Sequence, residues 1–416
     1  LQTEERNTAG SAEEARSNRL DSHALSNGIT AFLFGVTGPL AILIMVGRDG
    51  GLSDVDLASW IFGAYGLSGV LSLYFCWRYR QPLGMAWTIP GALLLPSALD
   101  HLSFAEVIGA YWVTALLITL LGWSGLINCV MRRIPIPIVM GMVAGVFLPL
   151  GVKVVTAFTS NALLATVSLG VFMLFSVLPA LGSRLPPVLA ALLAGGAVAW
   201  TTGGIAPLGV VPTLLARPIM YMPEFSLQAL VEMVIPLMIT VLGIQNAQGF
   251  AVLQQVDHPP PVKAVTVGSG LGSMLFAVVG SVPACLTGPT NAILVSSGAQ
   301  HRQWIGGMVF AVLMIIFGLF APVATAVALA VPLALIGLIG GLAMIRALQG
   351  AFQGAFCGEC PLGALVAFVV SVAGVPILNI GAPFWGLVFA FIASWLLERD
   401  SLRRVMVPKE TLKKTS

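Results

Sequence analysis

The chain has 416 residues, 57% of them hydrophobic and only 9% charged, and its mean hydropathy is +0.96. A soluble domain carries roughly a quarter charged residues, so these values exclude one and indicate a polytopic, all-α membrane protein. The net charge of +3 requires no nucleic acid, because the topology below places nearly every basic residue on one side of the membrane.

In chain order, residues 1–24 are polar, with Glu4, Glu5, Glu13 and Glu14 among three arginines, and read as a cytoplasmic tail rather than a cleavable signal. A bilayer core takes about 20 apolar residues per helix. On that basis spans are predicted at 25–47, 57–77, 84–99, 105–130, 134–152, 162–182, 186–205, 228–250, 262–280, 281–299, 304–322, 323–346, 363–380 and 382–398. Fourteen is an even number, so both termini share a side. The third and tenth spans are short and interrupted by Pro and Gly.

The loops test this count. On the side of the termini lie Arg6, Arg16, Arg19, Arg78, Arg80, Arg132, Arg133, Arg184, Lys263, Arg302, Arg346, Arg399, Arg403, Arg404, Lys409, Lys413 and Lys414. Only Arg48, Lys153 and Arg217 fall opposite. Positively charged loops face the cytoplasm, which makes both termini cytoplasmic.

The broken spans carry an internal repeat. Thr88-Ile89-Pro90-Gly91-Ala92-Leu93-Leu94-Leu95-Pro96-Ser97 aligns without gaps on Thr287-Gly288-Pro289-Thr290-Asn291-Ala292-Ile293-Leu294-Val295-Ser296, 199 residues downstream, and both read T-x-P-x-x-x-[LI]-L-x-S. "GMVAG" (141–145) matches "GLIGG" (337–341) at an offset of 196. The repeat is therefore seven spans long, and an odd number inverts the second copy across the membrane. Each broken span should run extended, through "PLGMAWT" or "VPACLT", then start a half-helix at Pro90 or Pro289, where a missing N–H costs nothing. Two helix N-termini then face each other near mid-membrane, and their unpaired N–H groups attract an anion. Irregular backbone at this depth is tolerated where it is buried or lines a cavity. Paired proline kinks compensated by neighbouring helices are the plainer alternative.

The stretches "QPLGMAWTIPGALLL", "RRIPIPIVMGMVAGVFL" and "GSVPACLTGPTNAILVSSG" resemble the benzoate transporter (BenE) family, over nearly the whole chain from about Leu25 to Leu397. The resemblance implies a proton-coupled importer of benzoate in the bacterial inner membrane, with a fold similar to uracil permeases and sulfate transporters. On that pattern a core domain comprises 25–131 (spans one to four) and 226–322 (eight to eleven). A gate domain comprises 132–205 (five to seven) and 323–398 (twelve to fourteen), with a C-terminal cytoplasmic tail at 399–416. Alternating access then moves core against gate as an elevator. Relatives of this architecture are often dimers, so a homodimer is expected, although no residue identifies its face.

Carried over from uracil permeases, the resemblance places substrate between the half-helices, aided by polar residues of the eighth span. Here that span ends "VLGIQNAQGF", offering Gln245 and Asn246, and the tenth offers Thr290 and Asn291 where those permeases use carboxylates. Amides and hydroxyls suit a carboxylate that acids would repel. Thr88 and Thr287 precede the prolines and can cap the half-helices, while Gly91 and Gly288 would admit close approach to backbone. Trp87 and Phe34, the latter near a local break at Thr37, Gly38 and Pro39, are candidates for an aromatic ring. The expected substrate site is thus Thr290, Asn291, Gln245, Asn246, Gly91, Gly288, Thr88, Thr287, Trp87 and Phe34, with benzoate or a related aromatic carboxylate, protons and membrane lipid as partners.

Intramembrane carboxylates are proton-site candidates by default. Asp100, Glu106 and Glu232, however, all fall toward the interface opposite the termini, where solvation accounts for them, so the proton is expected on the substrate's own carboxyl. Five cysteines (76, 129, 285, 357 and 360) are scattered, and "CGEC" has metal-like spacing without a second pair or clustered histidines. It reads as a reduced pair in a loop, and neither metal nor cofactor is expected. No HExxH is present and the four histidines lie in loops or tails, which speaks against an intramembrane enzyme. A nucleobase permease, an inorganic anion transporter and an anion channel are the remaining alternatives.

Overall fold

The structure is a computed structural model and describes residues 22–126, 135–182, 185–207, 213–378 and 380–406. Cys129, Arg132, Arg133, Arg184 and most of both tails lie outside the described residues. The first half runs α1 (Ser22–Asp49), α2 (Asp54–Tyr79), β1 (Met85–Trp87), α3 (Ile89–Leu99), α4 (Phe104–Ser124), α5 (Ile136–Ser160), α6 (Ala162–Val177) and α7 (Pro187–Thr201). The second runs α8 (Leu227–Gln255), α9 (Val262–Val278), β2 (Ala284–Leu286), α10 (Gly288–Leu294), α11 (Gln303–Leu319), α12 (Ala321–Ala330), α13 (Leu333–Phe356), α14 (Pro361–Ala373), α15 (Ala382–Leu397) and α16 (Arg399–Met406). Among the described residues, seven helices are long and apolar enough to cross a bilayer, and seven more are apolar helices of 10–17 residues.

Polar residues at the helix starts explain several boundaries. Ser53 and Ser103 open α2 and α4 with reciprocal capping boxes to Asp56 and Glu106, and Asn161 and Ser226 accept from the first turns of α6 and α8. The stretch 323–346, expected as one span, is instead divided between α12 and α13. Val331 is extended (φ −75°, ψ 136°) because it precedes Pro332, and the continuous helix begins at Leu333. Two other ends are shorter than expected. α4 stops at Ser124, where Gly125 turns left-handed (φ 72°), and α14 stops at Ala373 before Gly374 (φ 66°).

The helices pack as two groups. In one, α4 lies on α9 and α11 lies on α1 and α2. In the other, α5 packs on α13 and α14, α14 on α15, and α6 on α7. Glycines permit close approach within the second group: a Cβ on Gly141 would strike the Ala364 carbonyl and one on Gly341 the Leu150 carbonyl. These are the glycines of the "GMVAG" and "GLIGG" pair, so this part of the repeat serves helix packing. The groups meet chiefly where α1 crosses α13 and α7, with Gly38 against Ala343.

Both broken spans sit inside the first group. The extended segments lie antiparallel, pairing Met85 with Leu286, Ala86 with Cys285 and Trp87 with Ala284. Ladder hydrogen bonds extend at each end, from Thr88 N–H to the Pro283 carbonyl and from Thr287 N–H to the Gly84 carbonyl. This pairing satisfies backbone groups that hydrocarbon could not. Equivalent serines brace the two strands: Ser72 Oγ accepts from Met85 N–H (2.8 Å) and Ser273 Oγ accepts from Ala284 N–H (2.9 Å). That correspondence between α2 and α9 extends the repeat beyond its sequence match.

Candidate functional site

The strand ladder ends in two short helices, and a small cavity with room for about 40 Å³ of solvent opens beside them. Its walls come from α1 (Phe34, Gly35, Pro39), α2 (Tyr65), the first broken span (Ala86, Trp87, Ile89), α8 (Gln245), the second broken span (Thr287, Pro289, Thr290) and α11 (Phe310, Met314). Five of the ten expected site residues are therefore brought together: Phe34, Trp87, Gln245, Thr287 and Thr290.

The other five face elsewhere, each for a visible reason. Asn291 is fully buried and staples the ladder: its Oδ1 accepts from Gly84 N–H (2.9 Å), and its Nδ2 donates to the carbonyls of Gly84 (3.1 Å) and Thr287 (2.6 Å). Asn246 does the same from α8, accepting from Leu286 N–H (2.7 Å) and donating to Ser269 Oγ (3.3 Å). Thr88 caps its own helix by accepting from Gly91 N–H. Gly91 and Gly288 are packed rather than open, since an added Cβ would meet Thr88 and Leu237 in one case and Gln248 in the other.

Polar capacity in the cavity is left unused. Gln245 Oε1 and Thr287 Oγ1 are buried without a hydrogen-bond partner, although buried polar atoms are normally paired. Thr287 occupies the N-cap position of α10 yet makes no side-chain capping bond, unlike Thr88. Gln245 lies in a π-helical segment, Ile239–Asn246, and such wider turns frequently occur at functional sites. Among the described residues no Lys, Arg, Asp or Glu lines the cavity, so its polar end consists of neutral groups.

The opposite wall is aromatic, and its position follows from one proline. Pro39 lies inside α1 and cannot donate to the carbonyl four residues earlier, that of Gly35. Tyr65 fills the vacancy by donating its hydroxyl to Gly35 O (2.8 Å). Phe317 packs edge-on against Tyr65 at 5.0 Å between ring centroids. Trp87, held in the ladder opposite Ala284, also forms a cavity wall. Tyr65, Phe310 and Met314 were not anticipated, because nothing in an apolar span marks which residue faces a cavity. The clue for Tyr65 was Pro39, which leaves the Gly35 carbonyl without its helical donor.

One further expectation changes. Glu232 is not solvated: it is 5% exposed and paired with His101 (Nε2 to Oε2, 2.8 Å). "CGEC" lies in the connection before α14 with exposed Cys357 and buried Cys360 both free, while Glu359 holds Arg404 through two contacts (2.8 and 2.9 Å). No cluster of three metal-ligating residues occurs among the described residues.

Paired half-helices joined by a buried ladder, beside a cavity within an all-helical membrane bundle, are the arrangement of a membrane transporter. The fold is the seven-plus-seven inverted repeat. It matches the transmembrane domain of a cyanobacterial bicarbonate transporter, BicA (TM-score 0.61, 16% identity, 88% of this chain and 97% of that one). It also matches the murine anion transporter Slc26a9 in its inward-facing state (TM-score 0.63, 10% identity, 91% and 68%). The sequence profile described as benzoate membrane transport protein (BenE) spans residues 18–396, and the chain belongs to that family. Relatives include the inner membrane protein YdcO of Escherichia coli K12, 30% identical over 87% of this chain and 92% of its own length. Another is the benzoate membrane transport protein of Acinetobacter baylyi, 26% identical over 89% and 94%.

Proposed function

We propose that the protein is a secondary active transporter that imports benzoate, or a similar small aromatic carboxylate, together with protons across a bacterial inner membrane. The observation that carries this reading is the division of the cavity into an aromatic wall (Phe34, Tyr65, Trp87, Phe310) and a neutral polar end (Gln245, Thr287, Thr290) with two unpartnered oxygens. A benzoate-sized ligand has the same two-ended character. Gln245 can turn its amide to donate, and the two hydroxyls donate without steric change.

Proton coupling follows from the same lining. A carboxylate entering a buried site without a cation is penalised as an anion and favoured as the neutral acid, so the substrate carries its own proton. Transport then proceeds by elevator-like alternating access, with the core group (25–131 and 226–322) moving against the gate group (132–205 and 323–398). Fourteen crossings, cytoplasmic termini and a homodimer complete the proposal. An inorganic anion, the cargo named for the BicA relative, would leave the aromatic wall without a role.

Counterflow tests the reading. Proteoliposomes preloaded with unlabelled benzoate should take up labelled benzoate several-fold faster than empty ones, whereas uracil, sulfate or bicarbonate inside should give no acceleration. Absence of acceleration by benzoate, or equal acceleration by sulfate, would reject it.

A further inference from the structure

Apart from the cavity, one buried ionisable cluster spans the two helix groups. Glu232 lies in the first turns of α8, within a π-helical segment, Leu230–Val234. One carboxylate oxygen is 2.8 Å from His101 Nε2, on the α3–α4 connection. The other carboxylate oxygen lies against Gly381, which immediately precedes α15, a helix with no side-chain cap. A Cβ on Gly381 would lie 2.6 Å from Glu232 Oε1 and 3.6 Å from Ser97 Oγ, so an alanine there would displace the carboxylate. His101 and Glu232 belong to the group that holds the cavity, and Gly381 to the other.

We propose that Glu232 and His101 form a proton-binding site that latches the two groups together on the face opposite α16. With the carboxylate ionised, Oε2 pairs with His101 and Oε1 lies beside Gly381, at the positive end of α15, where a negative charge is attracted. A proton taken from water on that face and placed on the carboxylate removes the charge. The contact with α15 weakens and the groups can separate. The latch rests on the proposed motion of core against gate but not on the identity of the substrate.

Other charges around the pair do not duplicate it. Asp100 adjoins His101 in sequence, Glu106 on α4 interacts electrostatically with His101, and Glu224 lies on the strap that approaches α4 at Gly109. Glu232 is the only charged residue in α8, and α15 and 374–381 contain none. A second ion pair between the groups, Lys153 on α5 to Asp49 at the end of α1 (3.0 Å), is 37% and 50% exposed. Solvent screens such a pair, whereas the buried contact is specific and depends on protonation.

A substrate-free measurement tests the latch. Spin labels at exposed Leu227 on α8 and exposed Val375 before α15 report the separation of the groups in nanodiscs. On lowering the pH from about 8 to about 5, the distance distribution of the parent protein should shift to longer values. Glu232→Gln should show the long distribution at every pH. Gly381→Ala, which crowds the carboxylate without altering either titrating group, should do the same and covers the case in which Glu232→Gln does not fold. A parent distribution that ignores pH, or a Gly381→Ala protein with the parental pH profile, would overturn the latch. Because no substrate is present, failure of benzoate counterflow leaves this result intact, and the reverse also holds.

Discussion

Gln245→Leu and Thr287→Val should each weaken benzoate binding by about 10-fold or more while leaving the unliganded protein as stable as the parent. A hydrogen bond to a charged or strongly polar group contributes about 1.5–3 kcal/mol, and each 1.4 kcal/mol is a tenfold change in affinity. Stability should not fall, because Gln245 Oε1 and Thr287 Oγ1 have no partner in the protein to lose, and a buried unpaired polar atom is itself unfavourable. The check is a binding isotherm and a thermal melt on the same detergent preparation. Parental benzoate affinity in both variants would remove these residues from the site. A lowered melting temperature without benzoate would show that they support the fold instead.

The opposite outcome is expected for Asn291→Leu, although the repeat motif made this residue equally attractive as a ligand. Its side chain makes three hydrogen bonds within the strand ladder. The Gly84 carbonyl keeps Thr287 N–H, and the Thr287 carbonyl keeps Asn291 N–H, but Gly84 N–H is left with no partner. An unsatisfied buried donor costs about 1–3 kcal/mol and each remaining lost bond about 1 kcal/mol, so roughly 3–5 kcal/mol should disappear. That is a large share of the 5–15 kcal/mol typical of a domain. The variant should extract as aggregated or poorly folded protein, and benzoate should not rescue it. A well-folded Asn291→Leu protein that has lost only benzoate binding would move this residue back into the site.

These two predictions separate positions that look alike in one dimension. Thr290 and Asn291 are neighbours on one half-helix, yet successive residues on a helix point about 100° apart. One reaches the cavity and the other the ladder. The same holds for Gln245 and Asn246, where the first lines the cavity and the second grips Leu286. Motif spacing could place all four near the break but could not orient them, because orientation depends on where the facing strand lies. For the two broken spans the outcome agrees closely with expectation: the strands end three residues before the prolines and the helices begin within a residue of them. A proline terminates extended chain and starts a helix through its own geometry, without help from neighbours.

Local chemistry therefore determined much of this protein. Apolar runs defined the membrane class and most of the spans, the matched T-x-P motifs revealed the inverted repeat, and Ser, Thr and Asn before helical stretches set helix starts. All of these depend on covalent restrictions and on contacts within a few residues. Tertiary structure alone decided that the two extended segments pair as a ladder and that Tyr65 meets the carbonyl freed by Pro39. It also decided that Glu232 is buried against His101 and Gly381 rather than solvated. Each of these joins residues more than 25 positions apart. The pairing is chosen by which backbone groups would otherwise be left unsatisfied in hydrocarbon, a condition that exists only once the helices have packed.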